Sequence, residues 1–300
     1  MAKVCFSTVC SSNHYSYFIP TFLYSIKRAY PNVGVKVFVK GKLKDDVREC
    51  LDKLRKDKLI DGDWEVKDDY FKKFPMRVST CNSLRFLLPK DYFAGYDYVF
   101  IRDIDFIVLP HKVSHMGHFI KRMKSVSACM FGARGPYHFP SRPEINGKGW
   151  AGKYSRVGGG LVILKSPEWF DKTKGAVKHY RTCLKSSTGD GIDKHVAGSY
   201  REYDEVMLYR ICKKSHIGTP SKKGRGVDGK GVSNTYRDIH LGDFAKWGFS
   251  KIKRKISVET VRQYMLLEKD PVWQMVKEAA GKNKKVRVLL RRAKKHIRSR

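Results

Sequence analysis

Acidic residues are scarce in this chain: 29 Asp and Glu stand against 62 Lys and Arg in 300 residues, a formal net charge of +33. That imbalance excludes a polyanion-repelling surface and draws phosphorylated molecules, nucleic acid or an anionic membrane face toward the protein. No helix-turn-helix, zinc-finger or RRM signature accompanies the charge, so no specific nucleic-acid partner is expected. Long apolar runs are missing too, and with them any membrane-spanning segment. The opening Met-Ala-Lys-Val-Cys-Phe-Ser-Thr-Val-Cys is broken too early by polar residues to be a signal peptide and reads as a first strand. No Gly/Ser/Pro-rich linker divides the chain, so one large domain over 1–250 with a helical, strongly basic extension over 251–300 is expected. Seven cysteines lie scattered, odd in number and without Cys-x-x-Cys spacing. Neither a zinc site nor a disulfide framework is indicated, and a cytoplasmic protein fits.

Strand and helix patterns alternate through the first hundred residues. Residues 3–10 alternate as a strand, and Tyr17 to Tyr30 carries Phe18, Phe22, Leu23 and Ile26 at helical spacing up to Pro31. Val35 to Val39 reads as a strand, Lys44 to Leu59 as a helix with Val47, Leu51 and Leu54 inward, and Trp64 to Val66 as a short strand. Ser83 to Leu88 reads as a helix stopped by Pro89, and 98–102 as a buried strand. This order predicts an α/β fold with a mostly parallel central sheet flanked by helices. Further on, Ser127 to Gly132 reads as a strand, Gly135 to Tyr154 as a covering loop and Gly158-Gly159-Gly160 as a turn into a buried strand. Ser199 to Cys212 reads as a helix, Lys222 to Gly231 as a basic loop and 257–280 as helical.

One segment stands apart. The apolar run Val99-Phe100-Ile101 ends in two carboxylates, Asp103 and Asp105, one residue apart. An unpaired carboxylate beside a buried strand is costly, and a divalent cation facing a diphosphate compensates it. Hard oxygen ligands at the carboxyl end of a central strand suit Mn²⁺ or Mg²⁺. The same spacing in Asp61-Gly62-Asp63 marks only a turn, because its neighbours are Gly and polar residues.

Taken in order, the segments over about 3–250 resemble the GT-A glycosyltransferases, most closely the glycogenin-like and galactosyltransferase-like group of glycosyltransferase family 8. Phe6-Ser-Thr-Val-Cys-Ser-Ser-Asn-His-Tyr15 resembles that family's opening strand and loop, which implies that Thr8, Cys10 and Tyr15 hold the nucleotide base. Ser83-Leu-Arg85 resembles the helix that brings a basic residue near the diphosphate, and Asp103-Ile-Asp105 falls on the metal-binding motif. Gly158-Gly159-Gly160-Leu-Val-Ile-Leu resembles the strand beside the donor sugar, with Gly where the family has Asn. Tyr203-Asp204-Glu205 resembles the Asp-Gln segment, with a carboxylate replacing the amide, so Asp204 or Glu205 is expected to serve the donor sugar or to act as base toward the acceptor. His240-Leu-Gly242-Asp-Phe-Ala-Lys246-Trp resembles the closing motif, which makes His240 a metal ligand and gives Gly242 and Lys246 to the phosphates, although the family's Pro is missing. The resemblance implies a UDP-sugar or related nucleotide-sugar donor and a glycan, glycoprotein or glycolipid acceptor. The rival enzyme is a nucleotidyltransferase of nucleotide-sugar synthesis, against which the opening loop lacks a glycine-rich, basic phosphate cradle.

Residues 282–300 contain no acid, and Val286, Leu289, Leu290, Ala293 and Ile297 fall at helical spacing among Lys and Arg. That pattern predicts a cationic amphipathic helix lying on an anionic membrane, peripheral to a cytoplasmic enzyme and dispensable for its chemistry on soluble acceptors.

Overall fold

A computed structural model of the chain describes residues 2–74, 83–110, 115–125, 129–132, 161–186, 204–217, 238–242, 244 and 256–299. The strands and helices run β1 (Val4–Ser11), a 3-10 turn (His14–Phe18), α1 (Ile19–Ala29), β2 (Gly34–Lys40), α2 (Asp45–Lys56), β3 (Trp64–Lys67), a second 3-10 turn (Lys90–Phe93) and β4 (Tyr98–Arg102). There follow β5 (Phe106–Ile107), α3 (His115–Ser125), β6 (Met130–Gly132), β7 (Leu161–Lys165), α4 (Ser166–Ser186), α5 (Asp204–Lys214) and β8 (Ile239–His240). The last three helices are α6 (Val258–Leu267), α7 (Pro271–Gly281) and α8 (Lys284–Arg298).

Six strands form one sheet in the order β3-β2-β1-β4-β7-β6, and β5 and β8 make a separate two-stranded ladder. β1 is parallel to β4, with Val4 opposite Tyr98 and Ser7 opposite Ile101, and β2 is parallel to β3. β7 is antiparallel to β4 and to β6. The fold is therefore α/β with a mostly parallel sheet. Every residue of β1 and of β4 is buried, as strands covered on both faces require.

The chain divides into two compact units. The first comprises Met1–Val9, Phe71–Arg102 and Ile120–Ser233; the second comprises Cys10–Tyr70, Asp103–Phe119 and Asn234–Arg300. In the first, α4 buries Trp169, Phe170 and Leu184, and the Phe170 ring stacks on Phe93 at 5.2 Å. Ser83 and Leu84 are helical, but the chain turns from Arg85, with Phe86 N–H bonded to the Ser83 carbonyl, so a helix does not continue to Leu88.

In the second unit α1 turns Phe22, Leu23 and Ile26 inward. It starts at Ile19 rather than Tyr17 because Asn13 first caps a 3-10 turn, its Oδ1 accepting from Tyr15 N–H at 3.0 Å. The expected helix over 257–280 is two helices broken at Asp270-Pro271. Pro271 takes the first turn of α7, and Asp270 Oδ1 accepts from Val272 and Trp273 N–H at 2.9 and 3.1 Å. The other Asp270 oxygen accepts from Tyr24 at 2.6 Å and Arg28 at 3.2 Å, tying this corner to α1.

One expectation is overturned. Residues 284–298 are a helix, but Val286, Leu290, Ala293 and Ile297 are buried in the protein. With most of its apolar stripe covered by the chain's own core, the helix keeps only half-buried Leu289 and exposed Val288 to offer a bilayer.

Glu268 joins the last three helices. Its side chain is 2% exposed. Lys277 Nζ donates to its two oxygens at 3.0 and 2.9 Å, Lys294 lies 2.7 Å from Oε2, and Trp273 Nε1 donates at 2.9 Å. Burial by itself would push this carboxyl up; the hydrogen bonds from Lys294, Trp273 and Lys277 outweigh it and hold the group down at about 2. A folded value below the unfolded one gives stability that is complete above the unfolded carboxyl's range and lost as pH falls toward 2. Glu268→Gln is expected to lower the unfolding free energy by about 1–2 kcal/mol, since it leaves two half-buried ammonium groups without their carboxylate. Urea unfolding at stepped pH checks this: the variant's stability should also fall less steeply than the wild type's between the unfolded carboxyl's ordinary range and pH 2.

Candidate functional site

β4 ends at Arg102, and the chain leaves the sheet through Asp103, Ile104 and Asp105 before β5 begins. Ile104 is 5% exposed, whereas the acids on either side are only partly covered. The apolar residue enters the core and leaves the two carboxylates together. β5 pairs with β8 so that Phe106 faces His240 and Ile107 faces Ile239. Leu241 N–H donates to the Asp105 carbonyl at 2.9 Å, and Leu109 N–H donates to Asp238 Oδ1 at 3.3 Å, fastening both ends of the ladder.

That register gathers the site. One ligand atom from each of Asp103, Asp105 and His240 lies within 4.8 Å of the others. His240 Nε2 is 3.2 Å from Asp105 Oδ1, and their side chains are only 11% and 13% exposed. The Phe106 ring lies against the imidazole, centroids 4.5 Å and planes 6° apart, and fixes its plane. Gly242 supplies the clearance: a Cβ there would lie 2.8 Å from Asp105 Oδ2 and 3.0 Å from His240 Nε2. Two carboxylates and an imidazole, converging over a position where only hydrogen fits, are a donor set that can hold a divalent cation.

Tyr15 stands close by. Burial raises its phenol above the ordinary range, and the charges of Asp105 and then Asp103 raise it further. Its ring packs on His14 at 4.3 Å and Phe18 at 6.3 Å, in the turn that Asn13 caps. The neighbouring His14 imidazole is lowered by burial and then by the charge of Lys285.

The other expected site residues divide by location. Cys10 is buried near the end of β1 in the second unit. Thr8 is buried in β1 and Arg85 is nearly buried with its guanidinium over the Phe86 ring at 5.2 Å; both belong to the first unit. Asp204 and Glu205 open α5, but their side chains, with Gly158, Gly159, Gly160 and Lys246, lie outside the described residues, as do the loops over 135–154 and 222–231. Sequence reading did not find the Phe106 platform or the Asn13 cap. The first has no signal before the β5–β8 pairing is known, whereas Asn13 two residues before Tyr15 is a readable turn signature.

No family model matches this chain, and no curated protein matches it. Among solved structures it is similar to the galactosyltransferase LgtC in complex with donor and acceptor sugar analogs, at 17% identity and a TM-score of 0.40 over 69% of this chain and 70% of that one. It is also similar to the glycosyltransferase GlyE of Streptococcus pneumoniae, at 14% and 0.41 over 72% and 44%. A third is the bifunctional glycosyltransferase WbbM, at 15% and 0.39 over 70% and 37%. Likenesses this loose add nothing to the site, which rests on its own geometry.

Gly242→Ala should weaken Mn²⁺ binding on the order of tenfold, because the new methyl pushes against two ligand side chains. Calorimetric titration of the folded variant with MnCl₂ checks it, and an unchanged affinity would show that the cradle is not used.

Proposed function

We propose that this chain is a metal-dependent glycosyltransferase, moving a sugar from a nucleotide diphosphate donor, UDP-sugars foremost, to a hydroxyl of a glycan, glycoprotein or glycolipid. The observation that carries the reading is the meeting of Asp103, Asp105 and His240 where the chain leaves a central buried strand. The order of motifs along the sequence supports it. In this reading those three residues hold Mn²⁺ or Mg²⁺, which when bound supplies Lewis acidity toward the departing diphosphate. Lys246 and Arg85 oppose the negative charge that grows there, and Gly242 leaves the space. Thr8, Cys10 and Tyr15 hold the base, and Gly159 and Gly160 let the backbone approach the donor sugar. Asp204 or Glu205 orients that sugar or accepts the proton of the attacking hydroxyl. Work in the cytoplasm belongs to the proposal; among the described residues no helix is long and apolar enough to cross a membrane.

The decisive assay incubates the protein with a panel of nucleotide sugars and Mn²⁺ and measures nucleotide diphosphate release. Release from at least one UDP-sugar is expected, with a loss of a thousandfold or so in Asp105→Asn, in line with removal of a major source of leaving-group stabilisation. Failure of every nucleotide sugar to bind, with or without metal, would discard the reading. Pyrophosphate release from a nucleoside triphosphate and a sugar phosphate would replace it with nucleotidyl transfer.

Contact with an anionic membrane is kept in this proposal in a changed form, through charge alone. Lys284, Lys285, Arg287, Arg291, Arg292, Lys295 and Arg298 are exposed on α8. At about 1 kcal/mol per cation near an acidic surface, this face suffices for reversible attachment. Co-sedimentation with phosphatidylserine vesicles is expected at low salt and should vanish at several-fold higher ionic strength. Binding that resists salt would mean that apolar insertion dominates after all.

A further inference from the structure

The C-terminal helix, expected from its sequence to be a dispensable tail, touches both flanks of the candidate metal group. At its start, capped by Asn283, α8 packs against the 3-10 turn that carries His14 and Tyr15. Lys285 is near enough to His14 for its charge to act on the imidazole, and His14 in turn packs on Tyr15. Toward its other end the His296 ring lies 5.8 Å from the ring of Phe244. Phe244 is buried, and its N–H bonds the Leu241 carbonyl at 3.1 Å, closing the turn that holds His240 and Gly242 over Asp105. Lys285 and His296 are about 16 Å apart along the helix, at 1.5 Å per residue. Between these contacts α8 cannot slide. Its inward side chains are buried and Lys294 is bonded to Glu268.

We propose that α8 is a working part of the site, a strut that fixes the Tyr15 turn and the His240–Phe244 turn relative to each other, and that His296 is a positioning residue for the His240 imidazole. This rests on the metal reading above. His296 acts by holding Phe244, and through Phe244 the turn that aims His240 at the two carboxylates. Side chains that orient a ligand from behind are commonly worth tenfold or more in metal affinity.

The test titrates Mn²⁺ alone into the full-length wild type, His296→Ala, His296→Phe and the outward control Val288→Ala, with the thermal melt of each recorded. A Kd for Mn²⁺ weakened about tenfold is expected in His296→Ala, with recovery in His296→Phe, which restores a ring against Phe244, and no change in Val288→Ala. Wild-type affinity in a folded His296→Ala protein would overturn the strut while leaving the metal reading standing. Absence of Mn²⁺ binding by the wild type would instead remove the metal reading and the strut with it. If His296→Ala does not fold, Phe244→Leu serves in its place: it keeps an apolar side chain in the core and removes the ring contact, so an unweakened Kd there overturns the proposal equally.

Discussion

The ladder between β5 and β8 is the constraint on which the rest of the site depends. It is two residues long on each strand, far below the length at which strands support themselves. It nevertheless joins segments roughly 135 residues apart, a closure whose entropic cost grows slowly but is not small. What compensates is burial. Phe106, Ile107, Ile239 and Leu241 are all in the core, and each buried aliphatic side chain contributes about 1.5–3 kcal/mol. Side chains complete the backbone pairing: Ser25 Oγ accepts from Val108 N–H at 3.1 Å, and Asp238 accepts from Leu109. The polar site is therefore held by apolar residues that carry none of its chemistry.

Glu268 shows the opposite arrangement, a charge used as mortar. A chain with few acids places one of them in its interior, surrounded by two ammonium groups and an indole N–H. Such a cluster is specific rather than cheap, since it satisfies only one packing of α6, α7 and α8. The remaining cations of α8 are turned outward. One helix thus carries a half-buried ammonium paired with Glu268, an apolar seam and a cationic exterior.

Sequence patterns revealed the parts of the fold that obey a period. The first four strands and the first two helices were legible because apolar spacing and the stops at Pro31 and Pro89 agree with each other. The direction of β7 was not legible, since periodicity is the same forward and backward. The long α4 escaped notice although Ser166-Pro167-Glu168 is a good helix opening; Gly175 and a scatter of lysines blur the stripe of Trp169, Phe170, Ala176 and Val177. At the site, the Asp pair and His240 stood out by chemistry, but two-residue strands have no period, so the pairing that joins them could not be seen. For α8 the helix and its apolar stripe were read correctly and its environment was not: an amphipathic pattern says that one face avoids water without saying whether lipid or protein covers it.

The ladder also has a consequence for the order in which the protein comes into being. Asp103 and Asp105 are made early, and His240 follows roughly 135 residues later, which at 5–20 residues per second is an interval of about 7–27 s. Throughout that interval the nascent chain carries a pair of carboxylates at the end of a hydrophobic strand with nothing across from them. Phe106 and Ile107 have α1 to pack against from the start, but the face that meets β8 stays open until Ile239 and His240 emerge. On the ribosome, therefore, β5 presents an unpaired edge to other chains until its own partner is synthesised.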